Sequence, residues 1–134
     1  MKSIFKPVFL FGLLFLLTSD LLAQESIKGK FEHVVLFYLK NPESQKDKDK
    51  LEKGLRDLIR DSEFIVSAHL GVPAMTDREV VDNSYSFNYT VTFNSKEDQD
   101  KYQVEEVHLE FINEYKELWD KVIIYDSINL LESD

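Results

Sequence analysis

Two of the three histidines in this 134-residue chain stand in phase with apolar side chains, where an imidazole could do acid–base chemistry. His33 alternates with Val35 and Phe37 along one face of a predicted strand, and His108 shares the apolar face of a predicted helix with Phe111. Burial disfavours the charged form of histidine and leaves a neutral imidazole that can accept a proton. If the two faces meet, we expect both imidazoles in one interior. The alternative is that each is a core residue hydrogen-bonded to a backbone carbonyl or to water.

Other chemical motifs are missing from the sequence. It has no cysteine, no cluster with metal-ligand spacing, no glycine-rich phosphate loop and no serine nucleophile motif. We therefore expect neither a metal nor a cofactor. His69 stands alone on another predicted strand and is interpreted as structural, and Asp47, Asp49 and Glu52 form a solvated helix face.

The hydrophobic pattern predicts six elements that must position the histidines. Runs rich in β-branched and aromatic residues indicate strands at residues 31–40, 64–72, 84–93 and 121–130. A first amphipathic helix follows the N-cap Ser44 and ends near Ser62. A second helical region follows Ser95 and carries His108 and Trp119 on one apolar face. The order strand, helix, strand, strand, helix, strand predicts an α+β fold, a ferredoxin-like βαββαβ unit with an antiparallel sheet and both helices on one face.

The first and last strands are apolar on both faces, although the helices can cover only one face of the sheet. In the first strand Val35 and Phe37 lie on one face and Val34 and Leu36 on the other. Large exposed apolar surfaces usually mark interfaces. We therefore expect a second copy of the chain to cover the free face, giving a homodimer.

The first 23 residues have the order of a secretory signal peptide. Lys2 and Lys6 precede an apolar run from Val8 to Leu17, and Ala23 is the small residue at which cleavage is expected. The alternative is a membrane anchor, but a spanning helix needs about 20 apolar residues and Asp20 would lie inside it. The predicted organisation is a signal peptide at 1–23, a polar lead-in at 24–30, a domain at 31–130 and a tail at 131–134. The product is expected to be exported, periplasmic or secreted.

The chain is acidic, with a formal net charge of −9. An acidic surface repels nucleic acid phosphates and anionic lipid headgroups, so neither nucleic acid nor, after signal cleavage, a membrane is an expected partner. The negative charge is sufficiently explained if it simply keeps an exported protein soluble.

Three segments in their order resemble the stress-responsive dimeric α/β-barrel family, or Dabb. They are FEHVVLFYLK from Phe31, YSFNYTVTFNSKEDQDKY from Tyr85, and His108 followed by LEFINEYKELWDKVIIYD. The resemblance covers residues 31–130. It implies a ferredoxin-like subunit whose sheet packs on the sheet of a partner to form a dimeric α/β barrel, which agrees with the two-sided strands.

The resemblance also implies candidate site residues, because a few plant members of this family look like polyketide cyclases with a Tyr/His acid–base pair. The matching positions here are Tyr102 and His108, with His33 as a second pocket histidine. Two departures weigh against the cyclase interpretation. Phe87 replaces a histidine on the third strand, and Glu105-Glu106-Val107 replaces a segment that often contains His and Pro.

Six residues are predicted to line a ligand pocket: His33, Val35, Phe87, Tyr89, Phe111 and Trp119. In one straight helix Tyr102 and His108 would lie about 120° apart, so they converge only if the helical region breaks near Val104. Two functions stay open. One is a non-catalytic dimer that binds a small apolar or aromatic molecule or simply resists stress. The other is a cofactor-free cyclase- or lyase-like enzyme in which Tyr102 and His108 act on a carbonyl substrate.

Overall fold

The computed structural model describes residues 26–131, and the predicted signal peptide lies outside this range. The elements follow one another as β1 Phe31–Leu39, α1 Gln45–Asp61, β2 Ser67–Gly71, β3 Phe87–Phe93, α2 Lys96–Val104, α3 Glu106–Tyr115 and β4 Trp119–Ile128, with a short 3-10 turn Lys116–Leu118 before β4. No helix in residues 26–131 is long and apolar enough to cross a membrane.

The four strands form one antiparallel sheet in the order β2-β3-β1-β4. The predicted α+β ferredoxin-like fold is therefore confirmed. Along β1 every second residue is buried, because this central strand turns one face toward the helices. The cross-strand partners of the buried residues continue that face onto both neighbours: His33 lies between Val91 on β3 and Asp126 on β4.

The core lies between this face and the helices. Leu51, Leu55 and Leu58 of α1 are buried at helical spacing, which is the amphipathic pattern read from the sequence. Ser44 caps the helix as predicted, since its side chain accepts a hydrogen bond from the amide of Asp47. Helix α1 is thereby fixed as one wall of the space above the sheet.

Several predicted boundaries are wrong by a few residues. The second strand begins at Ser67 rather than at residue 64, since Phe64 and Ile65 pack against the core before pairing with β3 starts. The third strand begins at Phe87 rather than at residue 84. Trp119 is not on the second helical region but is the first residue of β4, because α3 ends at Tyr115.

The opposite face of the sheet is not covered by any element in residues 26–131. It carries the side chains of Val34, Leu36 and Tyr38 on β1 and of Ile123 and Tyr125 on β4. The antiparallel register pairs Val34 with Tyr125 and Leu36 with Ile123. We call these five residues the open face. Tyr125 is 61% exposed, so the chain alone leaves an apolar surface in water.

Candidate functional site

A cavity of about 280 Å³ lies between the sheet and the helices. Its walls are mainly apolar, and its polar groups come from β1, β3 and the α2–α3 region. The lining residues are His33, Val35, Phe37, Leu55, Leu58, Tyr89, Tyr102, Gln103, His108, Phe111, Ile112, Lys116, Trp119, Val122 and Ile124. This space, called the site cavity below, brings together most of the residues that the sequence selects.

His33 is buried in the middle of β1, with 5% of its surface exposed, and its ring is held by a carboxylate. Its Nδ1 lies 2.6 Å from Oδ1 of Asp126, the residue directly opposite on β4. A carboxylate oxygen accepts hydrogen bonds, so Nδ1 of His33 donates to Asp126 and Nε2 is the ring nitrogen left for another partner. Asp126 thus fixes both the orientation and the tautomer of His33.

The second helical region breaks between Val104 and Glu106, at the place where convergence of Tyr102 and His108 requires it. Helix α2 ends at Val104, Glu105 has extended dihedral angles, and α3 begins at Glu106. The break brings the two rings together, with centroids 4.5 Å apart and planes inclined by 47°. His33 joins them at the edge of the Tyr102 ring, 6.4 Å between centroids.

His108 is held by the same break. Its Nδ1 lies 3.1 Å from the backbone oxygen of Gln103, a carbonyl in the last turn of α2 that has no helical partner. A carbonyl only accepts, so Nδ1 donates and Nε2 is again the free acceptor. Burial lowers the pKa of His108, and the bond to the Gln103 carbonyl opposes this only in part. The imidazole is therefore neutral at pH 7.

Two phenols complete the polar end of the site cavity. The hydroxyl oxygens of Tyr89 and Tyr102 lie 3.0 Å apart. Burial raises the pKa of both groups above the ordinary tyrosine value, so both stay protonated. When Tyr89 donates to Tyr102, the proton of Tyr102 is left to donate to a ligand oxygen.

The apolar end is built from stacked aromatic rings. Phe111 and Trp119 are nearly parallel, 17° apart with centroids at 5.9 Å, and Phe37 meets Trp119 edge-on at 5.0 Å. Such rings give a flat, apolar wall suited to an aromatic or aliphatic body. Phe87 does not line this cavity. It is buried and borders a separate one near the start of β3.

Three polar residues at or beside the site cavity were missed by sequence reasoning. Asp126 reaches His33 only through the β1–β4 register, and Gln103 contributes a backbone atom that the helix break exposes. Lys116 lines the cavity from the turn after α3. His69 stands apart from the site, exposed on β2. In the part of the chain that the structure describes, no three His, Asp or Glu residues are placed to hold a metal ion.

Fold and cavity together define a ferredoxin-like α+β domain with a cavity between its sheet and its helices. The family model for the stress responsive A/B barrel domain matches residues 31–129. The chain therefore belongs to this family, Dabb, as the sequence resemblance indicates. No curated protein matches it.

Solved structures with the same fold include proteins of different descriptions. The Arabidopsis thaliana protein At3g17210 is 27% identical, with 77% of this chain and 98% of that chain covered and a TM-score of 0.64. The hydroxynitrile lyase of Passiflora edulis is 20% identical, with 79% and 98% covered and a TM-score of 0.67. A dimeric protein of unknown function with a ferredoxin-like fold, from Bacteroides fragilis, is 16% identical, with 78% and 100% covered and a TM-score of 0.59.

Proposed function

We propose that this domain binds a small apolar or aromatic molecule with a carbonyl or hydroxyl oxygen in the site cavity. The observation that carries the proposal is the division of the cavity into an aromatic end and a polar end. Phe111 and Trp119 form the first, and His33, Tyr102 and His108 meet at the second. A volume of about 280 Å³ is near the lower limit of small-molecule sites, which favours a compact ligand.

The polar end offers a complementary set of hydrogen-bonding atoms. Tyr102 supplies a phenolic donor, because its raised pKa keeps it protonated. His33 and His108 each have only Nε2 left for a ligand, because both Nδ1 atoms are already engaged. In the neutral ring of His108 this nitrogen is an acceptor. A ligand oxygen that accepts from Tyr102 while its apolar body lies on the Trp119 ring would satisfy both ends of the cavity.

The test is a fluorescence titration with prodan, a neutral naphthyl ketone whose emission reports an apolar environment. Tyr102→Phe should weaken binding by about 2–10-fold, the value of one hydrogen bond. His108→Gln should also weaken it, because it removes the ring that packs against Tyr102. His69→Gln, which changes the exposed histidine on β2, is the matched control and should bind as the wild type does. Equal affinity in all four proteins would contradict the proposed site.

A second candidate is cofactor-free proton transfer at a carbonyl compound. It is favoured by the His33–Asp126 pair and by the neutral His108, which place two bases beside a phenol. In this reaction Nε2 of His108 takes a proton from the carbon next to a carbonyl, and the C–H electron pair forms the enolate. The enolate oxygen accepts a hydrogen bond from Tyr102. The Passiflora edulis enzyme, at 20% identity, supports the fold alone, so this candidate rests on the geometry of this chain.

Deuterium exchange tests the second candidate without a known substrate. The methyl protons of acetophenone in D₂O should exchange faster with the wild type than with His108→Gln, and NMR measures both rates. Exchange at the buffer rate in both proteins would remove the enzymatic candidate and leave the binding function untouched.

We further propose that the protein acts as an exported homodimer. Dimerisation through the open face is supported by its five apolar residues and by structural neighbours described as dimeric. Export is supported by the order of charge, apolar run and Ala23 in the sequence. N-terminal sequencing of protein from the native host should find Gln24 first, and a retained Met1 in the membrane fraction would contradict export.

A further inference from the structure

Glu105, the residue between α2 and α3, binds the C-terminal end of α1. Its Oε2 accepts a hydrogen bond from the hydroxyl of Ser62 at 2.7 Å, and its Oε1 accepts one from the amide of Glu63 at 2.8 Å. Ser62 is the C-cap of α1. One carboxylate therefore joins the α2–α3 junction to the last turn of α1, across more than forty positions of sequence.

The position of this carboxylate is not explained by capping. Glu105 is the N-cap of α3 but makes no side-chain bond to that helix. It lies instead at the C-terminal end of α1, where the helix dipole disfavours a negative charge. Two directed hydrogen bonds to a charged acceptor, which are stronger than bonds between neutral groups, hold it there against the dipole.

The bond network acts on the site cavity because both connected elements form its walls. Leu58 of α1 and Phe111 of α3 both line the cavity. The same junction frees the Gln103 carbonyl that holds His108 and turns α3 so that His108 meets Tyr102. Without its bonds to α1, the junction would no longer fix the distance from His108 to the Gln103 carbonyl or the distance from His108 to the Tyr102 ring.

We propose that Glu105 is a positioning residue: by binding Ser62 and Glu63 it fixes the helix break that sets His108 against Tyr102. The expected effect on ligand binding rests on the proposed function. The claim that Glu105 fixes the helix break rests on the geometry alone. It concerns a side chain that lies outside the site cavity and acts on it through His108.

The experiment compares Glu105→Ala with Glu106→Gln, which removes a charge from the neighbouring exposed residue. Two measurements are made on each: prodan affinity, and the NMR cross-relaxation between the rings of Tyr102 and His108. Glu105→Ala should weaken prodan binding by about tenfold, the result of lowering the fraction of molecules in the binding arrangement to about a tenth, and should weaken the ring cross-peaks. Glu106→Gln should change neither.

Ser62→Ala keeps the test decisive if Glu105→Ala does not fold, because it leaves the charge and removes only one of the two bonds to Glu105, together with the weaker 3.3 Å bond from the Phe64 amide to Ser62. It should reduce the same cross-peaks. Where Glu105→Ala folds, the double variant should lose no more than Glu105→Ala does, since the Ser62 bond is one of the two that Glu105 makes. Unchanged cross-peaks in Ser62→Ala, and in Glu105→Ala where it folds, would overturn the inference. Failure of the wild type to bind prodan would instead contradict the proposed function, and the cross-peaks would still decide the role of Glu105.

Discussion

At the scale of single residues, the two site histidines are fixed in the same way by different partners. Each donates its Nδ1 proton to an oxygen, a carboxylate for His33 and a carbonyl for His108. Each consequently has only Nε2 left for a further partner. A core histidine needs only one satisfied nitrogen, but two imidazoles with free Nε2 atoms around one phenol make a polar end that a ligand can use.

The role of Asp126 predicts a tautomer change. In Asp126→Ala the Nδ1 of His33 loses its acceptor, so ¹⁵N NMR should show a mixture of Nδ1–H and Nε2–H forms in place of the single Nδ1–H form. The free energy of unfolding should fall by about 1–3 kcal/mol, the cost of an unpaired buried polar group. Asp120→Asn, an exposed change on the same strand, is the control. A wild-type tautomer in Asp126→Ala would contradict the assigned role.

The pKa of His108 predicts a pH dependence. Burial lowers that pKa below its ordinary value of 6.5, so the unfolded chain takes up the proton first as the pH falls. The contribution of His108 to stability is therefore fully present above pH 6.5 and is lost as the pH falls from there through the lowered pKa. Ring-proton NMR titration should give a midpoint below 6.5, and His108→Gln should remove this part of the acid dependence. A midpoint above 6.5 would contradict burial as the dominant effect.

The histidines could be predicted from the sequence, and their partners could not. His33 and His108 repeat with apolar neighbours at periods that any strand or helix imposes. Asp126 depends on the exact register of two strands that are far apart in sequence, and a shift of one residue would place it on the other face. Gln103 contributes only a backbone oxygen, which no side-chain pattern can reveal.

At the scale of elements, the site depends on two short helices in place of one long one. Helices of nine and ten residues are marginal on their own, so α2 and α3 are held by their caps and by packing. The strands and α1 were predictable because alternation and helical spacing are strong there. The sequence showed only that a break was required for Tyr102 and His108 to converge. It did not predict the break itself, since neither a proline nor a glycine marks residues 102–108.

The N-cap of α2 provides a prediction at this scale. The hydroxyl of Ser95 accepts the amide of Asp98 at 3.1 Å, so Ser95→Ala should lower the free energy of unfolding by about 1 kcal/mol. Ser95→Asp keeps a cap acceptor and should restore most of the loss. Urea unfolding of the three proteins measures the differences. Equal stability of Ser95→Ala and the wild type would show that the cap does not hold α2.

At the scale of the whole molecule, the open face requires a partner surface. The five residues of this face lie on β1 and β4, and helices cover only the other side of the sheet. A charge buried without a partner costs several kcal/mol. Leu36→Asp should therefore convert a wild-type dimer into monomer or unfolded chain, as measured by light scattering at micromolar concentration. Glu32→Gln is the control, because it changes a residue on the same strand face without removing an apolar side chain. A stable wild-type monomer would contradict the dimer.

The central claim is that the site cavity binds a small carbonyl-bearing aromatic molecule, and an NMR titration with acetophenone tests it most directly. The predicted result is a set of saturating shift changes concentrated on Tyr102, His108 and the indole N–H of Trp119, reduced in His108→Gln and unchanged in His69→Gln. Shift changes confined to the open face, around Leu36 and Tyr125, or none at millimolar acetophenone, would contradict it.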